Sequence, residues 1–329
     1  MENKLIVSTS PHLHSGASTQ RIMLDVLIAL LPATIAAVVL FGWPAAVLIA
    51  VSVTTAVLSE FIFNLIIKKR QTVGDLSAAV TGLLLALTLP ASAETIKNGW
   101  WQVMIGAIFA IVVVKGLFGG LGCNFANPAI TARIMMLISF GDTGASVATR
   151  FGSLIEGTKA DGSLITGATP LGALGAGVST DSLPSFVDML LGNRPGAIGE
   201  TCAVALLIGL VYLLVRRVIS WETPAVIVGV TFLLSLALSG SATVALYHVL
   251  GGGLLLAAIF MATDYVTTPI NRWGKVVFAF GVALITIVIR FFGSLPEGVS
   301  YAILLMNILS PYIEKLCARK PLGAGGKAK

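Results

Sequence analysis

Along the chain, polar positions gather in short clusters, and between them run long, almost wholly apolar stretches. A helix of about 20 apolar residues matches a hydrocarbon core of roughly 30 Å. The stretches predict such helices over residues 23–41, 45–67, 76–89, 101–117, 128–140, 198–215, 223–238, 242–261, 276–292 and 299–316. The third and fifth are short and bounded by Gly, Pro or Asn, which predicts half-helices buried inside the bundle. The expected fold is therefore an all-α polytopic membrane protein with about ten transmembrane helices.

Composition agrees. Of 329 residues, 56% are hydrophobic and 11% charged, with a mean hydropathy of +0.95, whereas a water-soluble globule has about half and a quarter. Fifteen of the 21 basic residues fall on the same side of the predicted spans as the N-terminus, five on the other, and Arg133 lies within a span. Basic loops stay inside, so both termini are expected in the cytoplasm. The net charge of +6 then reflects anchoring at the bilayer surface and not nucleic-acid binding. Residues 1–20 are polar and lack the apolar core of a cleavable signal, so the first helix is expected to direct insertion itself. Cys123, Cys202 and Cys317 have no metal-ligand spacing and are expected to be buried thiols.

The chain also repeats. Gly82-Leu-Leu-Leu-Ala86 recurs as Gly253-Leu-Leu-Leu-Ala257, and the same offset carries several early spans close to later ones. Two five-helix units joined in series must enter from opposite faces, an inverted-topology pair with its site where short broken helices meet. The expected organisation is a cytoplasmic segment 1–22, a first transmembrane repeat 23–140, an external loop 141–197, a second repeat 198–316 and a cytoplasmic tail 317–329.

That loop is rich in Gly, Ser, Thr and Ala and has no run able to build a core of its own. Near its end, residues 182–191 carry apolar side chains at helical spacing, with Ser182 as expected cap, and predict an interfacial helix. At its middle stands Thr166-Gly167-Ala168-Thr169. Pro170 biases Thr169 toward extended backbone, which presents its hydroxyl, and Gly167 and Ala168 leave little bulk beside it. A slim strand of this kind suits a Mg²⁺-dependent transferase that passes a phosphoryl-linked group onto the oxygen. Thr143-Gly-Ala-Ser146 matches the same short pattern.

These features resemble one family: the D subunits of Rnf complexes, which are membrane ferredoxin:NAD⁺ oxidoreductases, and the related B subunits of sodium-translocating NADH:quinone reductases. The likeness covers nearly the whole chain. It is carried by Gly119-Gly-Leu-Gly-Cys-Asn124-Phe-Ala-Asn127-Pro128, Thr166-Gly-Ala-Thr169-Pro-Leu171, Gly192-Asn-Arg-Pro-Gly-Ala-Ile-Gly-Glu-Thr201 and Met261-Ala-Thr-Asp264. The resemblance implies that Thr169 carries FMN through a phosphoester, installed by a flavin transferase. The family's acceptor pattern has an Asp where this chain has Ser163, with Asp161 the nearest acid. The resemblance further implies a second, non-covalent flavin, riboflavin, at Asn124 and Asn127. Amide groups both donate and accept, and Gly119, Gly120 and Gly122 permit close approach; a plain turn at Asn127-Pro128 is the competing reading.

Ionisable residues in or beside spans are functional candidates. Glu60, Arg133 and Asp264 are read as an ion path or as pairs within the bundle. Asp25, Lys115 and Arg290 are close enough to span ends to snorkel outward, and His248 reads as a hydrogen-bonded bundle histidine. Trp100, Trp101 and Trp221 read as interfacial belt residues. The chain has no nucleotide fold or iron-sulfur motif of its own. The expected function is a membrane electron-transfer subunit in a bacterial or archaeal cell membrane, dependent on other subunits of an Rnf complex and coupling electron flow to Na⁺ or H⁺ export. The alternative is an inverted-repeat channel or transporter for a small solute.

Overall fold

The computed structural model describes residues 18–90, 93–140, 169–177, 183–293 and 298–318. Among them every regular element is helical. Ser18 accepts from the Arg21 N–H and starts α1 (Thr19–Phe41). Gly42, at φ 73°, turns the chain into α2 (Trp43–Ile66), whose first turn takes Pro44; proline costs nothing there because that N–H has no helical acceptor. After a 3₁₀ turn (Val73–Asp75), Leu76 in left-handed backbone opens the short α3 (Ser77–Leu87). Then come α4 (Ala93–Ile108), continued by a π-helical segment (Phe109–Gly116), and α5 (Pro128–Phe140).

The second half begins with two short helices, α6 (Pro170–Gly175) and α7 (Phe186–Leu191). Next are α8 (Ala203–Val215), α9 (Glu222–Ser239) and α10 (Ala242–Leu250), then the three-residue α11 (Leu254–Leu256) with its π continuation (Ala257–Met261). Finally come α12 (Arg272–Phe292) and α13 (Val299–Leu316).

Each of the ten predicted stretches holds a helix. Among the described residues five helices are long and apolar enough to cross a membrane, or six if α10 and α11, bent by 58° at Gly251 to Gly253, form one broken span. The helices α3, α5 and α8 are apolar but shorter. The protein is a multi-pass, all-helical membrane protein. Its outer faces carry large exposed apolar side chains such as Ile35, Val39, Leu65, Val211 and Leu233, a surface that only lipid or a partner can cover.

Inside, small residues bring backbones together, the usual means of packing helices when hydrocarbon surrounds them. A Cβ at Gly82 of α3 would stand 2.9 Å from Ala56, Val53 and the Ser52 carbonyl of α2, and Ser52 Oγ donates to the Gly82 carbonyl at 2.7 Å. Packing partners recur in both halves: α2 lies on α3 and α4 as α9 lies on the broken α10–α11 pair and α12, and α4 meets α5 as α12 meets α13. The pentapeptide shared by the halves does not mark this correspondence. Gly82 is inside α3, whereas Gly253 is the left-handed residue that precedes α11, as Leu76 precedes α3, so the matched sequences are more than a helical turn out of step.

Candidate functional site

Among the described residues, the predicted site residues fall into three polar centres within the apolar interior. The first is a cavity of about 770 Å³, mouth included, between the halves. Val26 of α1, Val80 and Leu84 of α3, Leu213 of α8, and Ile259 and Phe260 of the second π segment form apolar walls, while Asn124, Asn127, Lys115 and Asp264 reach the same space. Both π segments thus border it, in keeping with the habit of π turns to gather at functional sites. Gly119, Gly120 and Gly122 have φ of +122°, +102° and +93°, so the chain between α4 and α5 curls in a way only glycine adopts without strain. The curl delivers both asparagines to the cavity. Asn127 Oδ1 accepts from the N–H groups of Ala129 and Ile130 at 3.0 and 3.4 Å, capping α5, and its Nδ2 donates to the Met261 carbonyl at 3.2 Å. Asn124 Nδ2 donates to the Ala126 carbonyl at 3.1 Å; among the described residues its Oδ1 has no donor. Turn and cap chemistry is therefore present at Asn127, with Asn124 the freer of the two.

Asp264, beyond the end of α11, borders both this cavity and an adjoining polar one with Arg217, Ser220 and Lys275. Desolvation raises its carboxyl pKa, opposed by hydrogen bonds from the Val266 N–H, the Thr267 hydroxyl and the Tyr265 N–H.

The second centre is a buried ion pair. Lys115 Nζ stands 2.7 Å from Glu60 Oε1 and 2.7 Å from Ser77 Oγ; Thr72 Oγ1 donates to the same carboxylate oxygen at 2.7 Å, and Asn64 Nδ2 to Thr72 at 2.9 Å. Both charged side chains are about 5% exposed. Lys115 also borders the Asn124 cavity, so it is the link between the two centres.

The third centre surrounds the α10–α11 break, where guanidinium groups take carbonyls that the broken helix leaves without partners. Arg290 donates to the carbonyls of His248, Gly251 and Gly252, and Arg194 to those of Leu250, Glu200 and Thr201. Burial lowers the Arg194 pKa, and the Glu200 carboxylate opposes that shift. Arg133 is 1% exposed and lines a smaller cavity of about 320 Å³ with Thr88, Glu200, Gly252, Gly253 and Ser300.

Thr169 is docked at this break. Its backbone is extended, φ −63° and ψ 152°, as Pro170 predicts, and its Oγ1 accepts from the Gly172 N–H at 3.0 Å to cap α6. Leu171 is buried, and its side chain lies where a Cβ on Gly251 or Gly252 would fall. Thr166, Gly167, Ala168, Thr143 and Ser146 lie outside the described residues. So Asn124, Asn127 and Asp264 come together in one cavity, Glu60 joins them through Lys115, and Arg133 and Thr169 belong to the break.

Several expectations need correction. Lys115, Asp25 and Arg290 do not snorkel. Lys115 is buried against Glu60; Asp25 is buried, accepting from Tyr212 Oη at 2.9 Å and from Arg216 at 3.2 Å; Arg290 turns inward to the break. Proximity to a span's end gave the wrong direction because each side chain finds a polar partner on another element, which rewards an inward rotamer. His248 is held by stacking on Phe291, ring centroids 4.8 Å apart, and its Nδ1 has no hydrogen-bond partner among the described residues. Cys123 is exposed rather than buried, on the glycine curl, and Cys202 and Cys317 are half-buried. The cap of α7 is Ser185, not Ser182: its Oγ accepts from the Asp188 N–H at 3.2 Å. Arg194, which stood in the sequence only as part of the Gly192 to Thr201 run with no role of its own, is 2% exposed; its place in that Gly- and Pro-rich run beside Glu200 was the available signal.

The chain matches the family model for NQR2, RnfD and RnfE over residues 6–323. It is 42% identical to the D subunit of the Na⁺-translocating ferredoxin:NAD⁺ oxidoreductase complex of Acetobacterium woodii, across 98% of this chain and 96% of that one. It is 36% identical to the D subunit of the proton-translocating ferredoxin:NAD⁺ oxidoreductase complex of Clostridium ljungdahlii, across 95% of each. The D subunit of the ion-translocating oxidoreductase complex of Stutzerimonas stutzeri is 37% identical, across 95% of this chain and 94% of that one. With nearly its full length matched both by the family model and by these relatives, the chain belongs to the NQR2, RnfD, RnfE family.

Proposed function

We propose that this chain is the electron-transfer subunit of an Rnf-type, ion-translocating ferredoxin:NAD⁺ oxidoreductase complex, with FMN esterified to Thr169 and a second, non-covalent flavin, riboflavin, beside Asn124 and Asn127. The observation that carries the reading is the placement of Thr169 in extended backbone, docked by Leu171 onto the helix break of a family member. The hydrogen bond from the Gly172 N–H is one that an esterified oxygen can still accept. For the second flavin, the space beside Asn124 and Asn127 joins apolar walls to a few polar groups, the make-up of a cofactor site. Flavins supply the chemistry of taking and releasing electrons one or two at a time.

The residues of the chain have separate tasks in this reading. Apolar walls exclude water from the ring, Asn124 offers an acceptor to its polar edge, and Asn127 holds the curl and the Met261 carbonyl in register. Lys115 places a positive charge at the cavity wall, balanced by Glu60. Asp264, with its raised pKa, is the member of the predicted Glu60, Arg133 and Asp264 set best suited to exchange a proton or Na⁺ along the transport route, because it faces two cavities. Ferredoxin and NAD⁺ chemistry fall to other subunits of the complex, and a flavin transferase completes the maturation.

A phosphoester-linked flavin survives denaturation. Expressed with its transferase, the chain is expected to give a fluorescent band on a denaturing gel, and Thr169→Val, which keeps the shape but removes the nucleophilic oxygen, abolishes it with the protein still inserted. A dark wild-type band beside an active transferase favours the solute-transporter alternative; a band that survives in the Val variant but is lost on Ser146→Ala moves the site.

A further inference from the structure

The polar cavity that adjoins Asp264 is built from three elements. Arg217 and Ser220 come from the turn between α8 and α9, Ile270 from the segment that precedes α12, and Lys275 from the first turn of α12. Tyr265 Oη donates to the Val218 carbonyl, which ties the turn to the opposite wall, and Lys275 Nζ donates to Ser220 Oγ at 2.9 Å. The cations next to these two in sequence are neutralised: Arg216 stands 3.2 Å from Asp25, and Arg272 stands 2.9 Å from Glu222. Among the described residues neither Arg217 nor Lys275 has a carboxylate within ion-pair distance. Asp264 is the one carboxylate among them that borders the space, on the side shared with the Asn124 cavity, and its oxygens accept from the Val266 N–H and the Thr267 hydroxyl. Two cations against one carboxylate leave the cavity positive.

We propose that this cavity is a head-group site for an anionic phospholipid, with Arg217 and Lys275 holding the phosphodiester. Charge is the first support. A guanidinium fork takes two phosphate oxygens at once, an ammonium adds a compact charge, and Ser220, which accepts from Lys275, keeps its own hydroxyl proton to donate. Basic pockets between membrane helices hold anionic head groups in this way. Depth is the second support. Trp221 and Trp273 flank the cavity and are exposed, as tryptophans at the membrane–water interface are. Ile270 at the rim is 78% exposed, and from Trp273 the exposed Val277, Phe280, Leu284 and Val288 follow along α12 at helical spacing. That apolar track is about 22 Å long at 1.5 Å per residue, enough for an acyl chain that reaches the middle of a hydrocarbon core of roughly 30 Å. A positive pocket that opens onto such a track fits a phosphate with a chain attached, and a soluble phosphate ester would leave the track unused.

The test uses the full chain, reconstituted into phosphatidylcholine vesicles with a minor share of phosphatidylglycerol whose acyl chains are brominated and quench a tryptophan they touch. The readout is the fluorescence of Trp273, taken as the difference from Trp273→Phe. Brominated phosphatidylglycerol is expected to quench it severalfold more than an equal share of brominated phosphatidylcholine. Arg217→Gln, at an exposed position, is expected to lose most of that preference, and Arg217→Gln with Lys275→Gln all of it. Lys68→Gln with Arg70→Gln, which removes the same charge from the exposed α2–α3 turn, is expected to keep it. Equal quenching by the two lipids in wild type, or a preference that persists in both cavity variants, overturns the proposal and leaves the cavity to an acidic segment of a partner subunit. A preference lost equally in the Lys68 and Arg70 variant also overturns it, because the charge of the whole face is then responsible. Inorganic phosphate at constant ionic strength is expected to leave the preference in place; abolition by it identifies a site for soluble phosphate and overturns the lipid.

Discussion

Asn127 joins turn chemistry to the proposed site. Its oxygen caps α5 while its nitrogen crosses to the Met261 carbonyl, so replacement costs the cap, about 1 kcal/mol, as well as a tie between the halves. Asn124 makes a single local bond and lines the cavity. The two are therefore expected to differ: Asn124→Leu loses the extractable flavin with little change in thermal unfolding, whereas Asn127→Leu loses the flavin and also unfolds earlier. Flavin extracted by acid and quantified against protein reads the first effect. A folded Asn124→Leu protein that keeps its extractable flavin returns this residue to turn chemistry. The asparagines were legible because Asn before Pro, after three closely spaced glycines, is a local signal. Lys115, Asp25 and Arg290 were not, since a side chain near a span's end can lean either way, and only a partner on a distant helix decides it.

At the level of elements, the ion pair of Glu60 and Lys115 binds α2 to the π continuation of α4, and Ser77 brings in α3. Among the described residues Glu60 Oε2 is buried without a hydrogen-bond partner, so the carboxylate depends heavily on its lysine. Removing one member of a buried pair strands the other charge, at a cost of about 3 to 5 kcal/mol, whereas replacing both with neutral groups can be nearly free. Lys115→Met is expected to be strongly destabilised, and Glu60→Gln with Lys115→Met to recover most of the loss, in thermal unfolding followed in detergent. A double variant no more stable than the single one contradicts this account. The existence of the helices could be read in advance because their apolar runs have membrane length, and α3 and α5 were rightly singled out as short. The 58° bend at Gly251 to Gly253 was hidden inside one predicted span of residues 242–261. Three glycines permit a break, but the carbonyl partners that stabilise it come from Arg194 and Arg290, distant in sequence.

Across the whole molecule, the equivalent first helices α1 and α8 pack together, as do the last helices α5 and α13. A twofold relation between halves brings like elements face to face in this way, and an axis in the membrane plane inverts one half relative to the other. The segment bearing Thr169 is then held at the α10–α11 break of the second half, and the side of the membrane it faces determines which electron donors can reach it. From the excess of basic residues on one side, we propose that this segment lies outside and the α2–α3 turn inside. With the three native cysteines replaced, since Cys123 is exposed, Ala176→Cys and Gln71→Cys probe the two sides at exposed positions. In intact cells a membrane-impermeant thiol reagent is expected to label Ala176→Cys and to spare Gln71→Cys, with both labelled after permeabilisation. The reverse pattern inverts the protein and moves the covalent flavin to the cytoplasmic face. Labelling of both in intact cells would mean that the two turns share a side and would overturn the proposed odd number of crossings between them.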